Sequence, residues 1–417
     1  MLTTIRAAAC AALAALPLLA QPVMAQDKVL KFATPQDFTV VYTFVTAEYN
    51  QGYRDYITLI NERGGLGGIK IDVLVSDHGN AIQRGMEAFE RSTRDGAILV
   101  DPLSTPVSRA LVTRALQDKV NLITTMSGRS DAADGTVFPY VLPMSPSYWS
   151  QVARMVDYIR QEEKDLKGKK LAYVYIDTPF GRESLPLWEA LAKKDGFELQ
   201  TYPYAPPGNE QSAVWTQVRR FRPDWVFIGG GGVGQPVSIK EAIRNGIRVD
   251  RIASWVWLSE SDMDVVGRAE AKGVLKFAVT EQGADSKVIK DIIAEVVDKG
   301  KGAGPKDKVG TSYYNVGVMA AALAAEGARK ALEKNPTGPF TGEWLNAGLT
   351  SISKFDLGGF LPPITITPED HQGGGQGKVA RWDGVKWVAV TGWGAANQDI
   401  IWEMIRKQAA EFKATGK

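Results

Sequence analysis

Hydroxyl side chains follow two successive strand-like segments in the first third of the chain. Ser104 and Thr105 stand directly before Pro106, and Thr125 and Ser127 follow the next segment. In open parallel sheets the carboxyl ends of strands lead into helix N-termini, whose free N–H groups and partial positive charge favour anions. The hydroxyls are therefore placed to bind an anionic ligand, with the alternative that Ser104 and Thr105 only cap the following helix.

Aromatic side chains stand at strand ends farther along the chain. Phe180 follows the strand-like run Leu171 to Ile176, Trp255 and Trp257 lie at the end of another, and Tyr42 is a further candidate. Such rings suit a ligand with an aromatic or hydrophobic body, each contact adding about 0.5 to 1.5 kcal/mol beyond area burial. The alternative is that they belong to the core, where tryptophan beside a strand is commonest.

A glycine motif, Gly229-x-Gly231-x-x-Gly234, follows a strand and precedes a helix, so it formally fits a dinucleotide-binding fingerprint. That fingerprint requires an acidic residue at the end of the next strand, whereas Asp250 precedes its strand. We therefore expect no nucleotide cofactor. The other use of these glycines is close approach of the backbone to a ligand, with Gly230 and Gly231 as the candidates.

The two histidines of the chain lie in different segments. His78 follows a predicted strand and either lines a ligand cleft or stabilises its own loop. His371 stands beside Glu369 and Asp370, but one histidine with two adjacent carboxylates lacks the spacing of a metal site. No HExxH, GxSxG or P-loop pattern occurs. The sequence therefore favours a binding protein over an enzyme, and we expect neither a metal nor a cofactor.

The elements that hold these residues alternate regularly. Between Gln51 and Asp77 the sequence predicts an amphipathic helix, a stop at Gly64 and Gly65, and an alternating strand. A strand at Val29 to Ala33 precedes this helix, so the two strands are parallel. Continued alternation predicts an α/β fold with doubly wound parallel sheets. Further helices are predicted over residues 81–94, 106–118, 148–163, 180–194, 212–221 and 236–245.

The first 25 residues are predicted to be an export signal that is cleaved after Ala25. Arg6 precedes an apolar run, Ala7 to Ala20, and small residues end the segment. Cys10, the only cysteine, lies here, so we expect no disulfide or thiol chemistry in the exported chain. The 49 basic and 47 acidic side chains nearly balance, which gives no support for binding to nucleic acid or an anionic membrane.

Three breaks in the pattern predict that the chain crosses between two lobes. They lie at Leu142 to Pro146, at Phe277 to Gly283 and near Asp356 to Gly359. After the last break come a hairpin-like pair of strands and an amphipathic terminal helix. The predicted first lobe is residues 26–143 with 280–356, and the second is 144–279 with 357–417.

Four motifs in fixed order connect this architecture to a known family: Gln51-Gly52 through Gly68, Asp177-x-x-Phe180-Gly181-Arg182, Phe221-x-x-Asp224-x-Val226, and the hairpin from Lys378 to Val390. With them the chain resembles, over nearly its whole exported length, periplasmic solute-binding proteins of the branched-chain amino acid type. The resemblance implies a type I periplasmic binding protein fold that clamps its ligand between the lobes. It also implies a periplasmic location and an ABC permease with its ATPase subunits as partners. No apolar run after the export signal approaches the roughly 18 to 20 residues of a membrane span, so we expect no direct membrane insertion.

The resemblance further implies that strand-end loops of the first lobe hold a ligand carboxylate through hydroxyls and backbone N–H groups. This role falls on Ser104, Thr105, Thr125 and Ser127. Phe180 stands where amino-acid-binding relatives place a tyrosine before the glycine.

The chain departs from those relatives near Ser254 to Trp257, where they carry a glutamate that pairs with the ligand ammonium. No acidic residue occurs between Arg251 and Ser259, and a buried ammonium without a paired charge is strongly unfavourable. We therefore expect a small carboxylate ligand with an apolar or aromatic body. Two alternatives stay open: a branched-chain amino acid, with Glu260 or Asp262 shifted into place, and a sensory protein that feeds a receptor.

Overall fold

The computed structural model describes residues 29–126 and 128–416 of the 417-residue chain. The predicted export signal and one predicted ligand hydroxyl, Ser127, lie outside the described residues. The described chain forms two sheets with helices packed on them. The predicted α/β class, with two doubly wound parallel-sheet lobes, is confirmed.

Each lobe is built on one sheet. The strands of the first sheet are β1 (Val29–Gln36), β2 (Lys70–Asp77), β3 (Ala97–Val100), β4 (Asn121–Ile123) and β5 (Val141–Leu142). They run parallel in the order β2-β1-β3-β4-β5. The strands of the second sheet are β6 (Lys170–Ile176), β7 (Glu198–Tyr204), β8 (Trp225–Gly229), β9 (Ile252–Ser254), β10 (Leu275–Ala278), β11 (Lys378–Trp382) and β12 (Trp387–Ala389).

The second sheet repeats the winding of the first. Its order is β12-β11-β10-β9-β8-β6-β7, so the five strands from β6 to β10 have the same relative order as β1 to β5. Strands β11 and β12 form the predicted antiparallel hairpin on the outer side of β10. In each sheet the strand order changes direction next to the first strand along the chain, between β1 and β3 and between β6 and β8. Ligands of such folds bind at the carboxyl ends of the strands near that point.

Helices cover both sheets. They are α1 (Thr43–Glu62), α2 (Ile82–Arg94), α3 (Thr105–Asp118), α4 (Tyr148–Glu163), α5 (Pro179–Arg182), α6 (Leu185–Asp195), α7 (Ser212–Phe221), α8 (Gly234–Arg244), α9 (Glu260–Val266), α10 (Lys287–Ile292), α11 (Ser312–Lys334), α12 (Gly342–Leu349) and α13 (Gln398–Thr415). We call the first sheet with α1 to α3 and α10 to α12 the first lobe, and the second sheet with α4 to α9 the second lobe.

The aromatic stripe of α1 is buried against α11, as its helical spacing predicts. Tyr49 is 0% and Tyr53 1% exposed. The two helix backbones touch where both carry glycine: a Cβ on Gly52 would overlap the carbonyl oxygen of Tyr314, and one on Gly317 would overlap that of Tyr49. Only glycine permits so close an approach, so this contact fixes how the returning chain docks on the first lobe.

The chain passes between the lobes three times, as predicted: after β5, after β10, and between α12 and β11. The terminal helix α13 then contacts both lobes. Its body touches α4 of the second lobe. Near its end, Phe412 packs on Phe138 of the first lobe with ring centroids 4.6 Å apart.

One predicted helix is divided in two. The periodicity predicts a single helix over residues 180–194, whereas α5 ends at Arg182 and α6 begins at Leu185. Pro186 explains the break, because proline has no N–H and its ring clashes with the carbonyl one turn earlier. The break places Glu183 between the two helices, where its carboxylate reaches the first lobe.

Candidate ligand-binding site

A pocket lies between the lobes. The space between its lining atoms is about 370 Å³, including the part open to solvent. This slot suits a small ligand. Its lining residues are Tyr42, Val45, Leu103, Ser104, Thr105, Met126, Tyr148, Phe180, Gly231, Gly232 and Trp257.

Most of these residues follow the carboxyl end of a parallel strand. In the first lobe, Ser104 and Thr105 follow β3, and Met126 follows β4. In the second lobe, Phe180 follows β6 and Trp257 follows β9. The pocket thus occupies the place where doubly wound sheets bind ligands, and both lobes contribute to it.

One wall of the pocket is a packed group of aromatic rings. The Phe180 ring centroid lies 5.3 Å from that of Tyr148 and 4.8 Å from that of Trp255. Tyr148 and Trp255 are 4.4 Å apart, and Tyr42 of the first lobe meets Phe180 edge-on at 6.3 Å. This wall offers an apolar ligand both ring faces and ring edges.

The polar groups within this wall bind each other. Trp257 donates its indole N–H to the Tyr148 hydroxyl at 2.6 Å. Tyr148 in turn donates its own proton to the Met126 carbonyl oxygen. Met126 has a left-handed backbone, with φ of +53°, which is unusual for a residue other than glycine. The polar groups of Trp257 and Tyr148 are therefore occupied within the protein, and the part of the wall that these two residues form with Phe180 is effectively apolar.

The opposite side of the pocket carries hydroxyls at the N-terminus of α3. Ser104 is the N-cap: its oxygen accepts the Val107 N–H at 3.4 Å, and its hydroxyl donates to the side-chain amide oxygen of Asn80 at 2.6 Å. Thr105 accepts the Gly128 N–H at 2.8 Å. Within residues 29–126 and 128–416, no protein acceptor takes the Thr105 hydroxyl proton or that of Tyr42. Both remain available to a ligand.

Four residues predicted to bind ligand lie outside the lining, each bonded elsewhere. Thr125 donates to the Pro143 carbonyl oxygen at 3.3 Å. The Trp255 indole N–H donates to the Gly230 carbonyl oxygen at 2.8 Å, so this ring supports the wall from behind Phe180.

The other two are Gly230 and His78. Gly230 packs against Tyr204 and Gln235 of the second lobe. His78 accepts the Asn80 N–H at 2.9 Å and donates from its other ring nitrogen to the Pro102 carbonyl oxygen at 2.9 Å. Both ring nitrogens are thus used to hold the loop.

The two carboxylates that could replace the missing glutamate are also bonded within the protein. Glu260 accepts the Ser312 N–H at 2.8 Å and the Ser259 hydroxyl at 3.0 Å. Asp262 accepts the Ser259 N–H at 2.7 Å and the Tyr313 hydroxyl at 2.5 Å. Burial raises the pKa of Asp262 to about 7. Among the described residues, no charged side chain lines the pocket.

The lobes touch at the rim of the pocket. A Cβ built on Gly232, in the loop before α8, would overlap the Val41 carbonyl oxygen and lie 3.2 Å from the Tyr42 ring. Gly232 also has φ of +65°. Glycine suits this position because it adopts a positive φ without strain and has no Cβ to prevent the close contact. The structure therefore has the two lobes closed on each other.

Five lining residues were not anticipated from the sequence. Three are apolar, Val45, Leu103 and Met126, and nothing in their local pattern distinguishes them from core. Gly232 lay inside the glycine motif already noted. Tyr148 stands at the start of α4, directly after the first crossing. This position beside a lobe crossing was the one sequence feature that could have marked it as a pocket residue.

Over the described part of the chain, no group of three or more His, Cys, Asp or Glu side chains is arranged to hold a metal ion. No helix in the same residues combines the length and apolar character needed to cross a membrane.

Known proteins place this geometry in context. A sequence profile described as periplasmic binding protein matches residues 30–386. A solved structure described as an ABC transporter permease from the Pseudomonas fluorescens group is 36% identical, with 93% of this chain and 96% of that chain covered and a TM-score of 0.84. Among curated proteins, no sequence matches the chain.

More distant structures share the fold. A branched-chain amino acid ABC transporter protein from Thermus thermophilus with bound valine is 20% identical, covers 89% of this chain and 97% of its own, and has a TM-score of 0.78. A solute-binding protein from R. palustris in complex with benzoate is 17% identical, with 88% and 97% covered and a TM-score of 0.70. The profile match over most of the chain shows that it belongs to the periplasmic binding protein family, and the two closed lobes with their shared pocket agree with this.

Proposed function

We propose that this protein is the periplasmic substrate-binding component of an ABC importer, and that it clamps a small carboxylate with an apolar or aromatic body between its lobes. The observation that carries the choice of ligand is the absence of a charged side chain among the described lining residues. An amino-acid ammonium buried there would lack a counter-charge, which is unfavourable by several kcal/mol. A carboxylic acid without an ammonium group avoids this penalty.

The polar side of the pocket supports recognition of a carboxylate. The Thr105 and Tyr42 hydroxyls have protons to donate, and both residues line the slot. Thr105 is also the first residue of α3, where the helix dipole favours an anion. We assign the ligand carboxylate to this side and the ligand body to Phe180 and Trp257, with the Gly231 backbone beside them. Ser104 then acts indirectly, as the cap of α3.

Ligand capture follows from closure and needs no chemical step in this protein. A ligand that bridges both lobes stabilises the closed arrangement by its higher affinity for it. The closed form then presents one surface to an ABC permease and its ATPase subunits. Membership of a family of solute-binding proteins supports this role. The valine and benzoate seen in distant relatives indicate that this fold accepts ligands with and without an ammonium group.

A thermal-shift screen with matched ligand pairs tests the proposal. Leucine is compared with 4-methylpentanoate, and phenylalanine with 3-phenylpropionate; each pair differs only in the ammonium group. Benzoate and butyrate extend the range of body sizes. A ligand present at a hundred times its Kd stabilises the folded state by about 2.7 kcal/mol. We expect at least one acid without an ammonium group to raise the melting temperature and its amino-acid partner not to.

Two variants complete the experiment. Thr105→Val keeps the shape of the side chain but removes the hydroxyl, and should weaken binding of the acid about tenfold, the value of one hydrogen bond to a charged group. Thr125→Val is the matched control, because the Thr125 hydroxyl donates to the Pro143 carbonyl oxygen and does not line the pocket. Stabilisation by leucine or phenylalanine, with none from the acids that lack an ammonium group, would refute the ammonium-free ligand. Equal effects of the two variants would refute the assignment of the carboxylate.

A further inference from the structure

Glu183 of the second lobe makes its side-chain contacts with the first lobe. Its carboxylate accepts the Ser130 N–H at 2.7 Å and lies 3.4 Å from the Arg109 guanidinium. The Glu183 side chain is only 7% exposed. Because both partners belong to the other lobe, these contacts exist only while the lobes are closed.

The contacts of Glu183 lead directly to the pocket. Arg109 also donates to the Gly128 carbonyl oxygen at 3.0 Å. Gly128 donates its N–H to the Thr105 hydroxyl oxygen, and Thr105 lines the slot. On its own lobe, Glu183 is fixed by its backbone carbonyl, which accepts the Trp149 indole N–H at 2.8 Å. A continuous chain of hydrogen bonds thus joins the second lobe to a predicted ligand contact of the first.

The charged side chains near these hydrogen bonds are paired. Arg129 and Asp131 form a buried pair nearby, 3.1 Å apart with both side chains under 8% exposed. Burial raises the pKa of Glu183, while Arg109 and Ser130 oppose that rise. An unpaired carboxylate would be unfavourable in this place, so the Arg109 and Ser130 contacts are what allow Glu183 to be enclosed.

We infer that Glu183 is a positioning residue that raises ligand affinity without touching the ligand. It does so by holding Arg109 and the Gly128–Ser130 segment of the first lobe against the second lobe when the pocket is closed. The inference rests on the proposed clamp. The Glu183 contact helps to hold the lobes together, and it also fixes the Thr105 side chain through Gly128. Loss of the contact therefore reduces affinity for every ligand that requires closure.

Cross-linking of the ligand-free protein tests the contact itself, because an irreversible bond accumulates each time the lobes close, even where the closed form is a minor population without ligand. In Arg109→Lys, a carbodiimide should join the new amine to the Glu183 carboxylate as an amide, which mass spectrometry identifies as a linked pair of peptides. The double variant R109K/E183Q cannot form this amide and is the control. Absence of the linked peptides in R109K would overturn the inference, whatever the ligand proves to be.

Affinity for 3-phenylpropionate tests the consequence. Glu183→Gln and Arg109→Met should each raise Kd about tenfold. The double variant E183Q/R109M should raise it little further, because both substitutions remove the same contact. In the ligand-free protein, the effects of the two substitutions on the melting temperature should instead be additive. Glu295→Gln, which breaks a pair with Arg63 inside the first lobe, should leave Kd unchanged.

Additive effects of the two substitutions on Kd would overturn the inference. If the wild-type protein does not bind 3-phenylpropionate, the choice of ligand under the proposed function is at fault, and the cross-linking result still decides the role of Glu183.

Discussion

The Trp257 indole N–H donates to the Tyr148 hydroxyl at 2.6 Å, and this bond joins the loop after β9 to the start of α4 in the pocket wall. Tyr148 begins α4, just after the chain leaves the first lobe, whereas Trp257 follows β9 in the second lobe. Each residue lines the slot. Their mutual bond, with the Tyr148 bond to the Met126 carbonyl, satisfies the polar atoms of an otherwise apolar surface.

Tyr148→Phe should therefore destabilise the protein and lower ligand affinity although the ring is kept. The change leaves the Trp257 N–H and the Met126 carbonyl oxygen without their partner, and a buried unsatisfied group is unfavourable by about 1 to 3 kcal/mol. Thermal unfolding and tryptophan emission measure the effect. Tyr202→Phe is the control, since that hydroxyl bonds Gln200 near the surface; an equal effect of both substitutions would contradict the role of the Tyr148 hydroxyl.

Gly232→Ala should hinder closure of the lobes. The new methyl group would overlap the Val41 carbonyl oxygen of the first lobe, so we expect a larger radius of gyration by X-ray scattering and weaker ligand binding. Gly246→Ala is a matched control: its φ of +82° imposes similar backbone strain, but no described atom lies within 4 Å of the added Cβ. If both variants keep the wild-type radius in the presence of ligand, the rim contact does not limit closure.

The fold could be predicted from the sequence because its signals are local and repeated. Alternating strand and helix periods gave the α/β class, and interruptions of that pattern gave the three crossings. The division between α5 and α6 was missed because apolar spacing continues through Glu183 and Ser184. Pro186 was the residue that marked the new helix start, and its effect on the backbone outweighs periodicity.

The pocket could be predicted only in part, because a strand end determines where a residue lies and not where its side chain points. Phe180 and Trp257 line the slot, whereas Trp255, two residues earlier, is turned into the core behind them. Thr125 and His78 also stand at strand ends, but their hydrogen bonds hold the loops. These outcomes depend on partners distant in sequence, which no local pattern reports.

Gly317→Ala should lower the stability of the first lobe. The added methyl group would overlap the Tyr49 carbonyl oxygen, where α11 and α1 touch, and overpacking of this kind destabilises by about 1 to 3 kcal/mol. The melting temperature should fall accordingly. Gly302→Ala, whose nearest described atoms are 3.6 Å from the new Cβ, should change it little. A Gly317→Ala protein as stable as wild type would mean that the helices can separate without loss.

His371→Asn should make the protein less sensitive to acid. His371 is 1% exposed and hydrogen-bonds the Val141 carbonyl oxygen through Nδ1, a bond that asparagine can replace. Burial lowers the pKa of His371 from its ordinary value of 6.5, although the Val141 bond and the nearby Asp134 and Glu369 charges oppose this. As the pH falls through 6.5, the unfolded chain takes up a proton that the folded protein does not, so stability is lost.

The fall in melting temperature between pH 7 and pH 5 should therefore be smaller in the variant than in the wild type. Equal falls in the two proteins would show that His371 has the same proton affinity folded and unfolded, and that the acid sensitivity arises elsewhere.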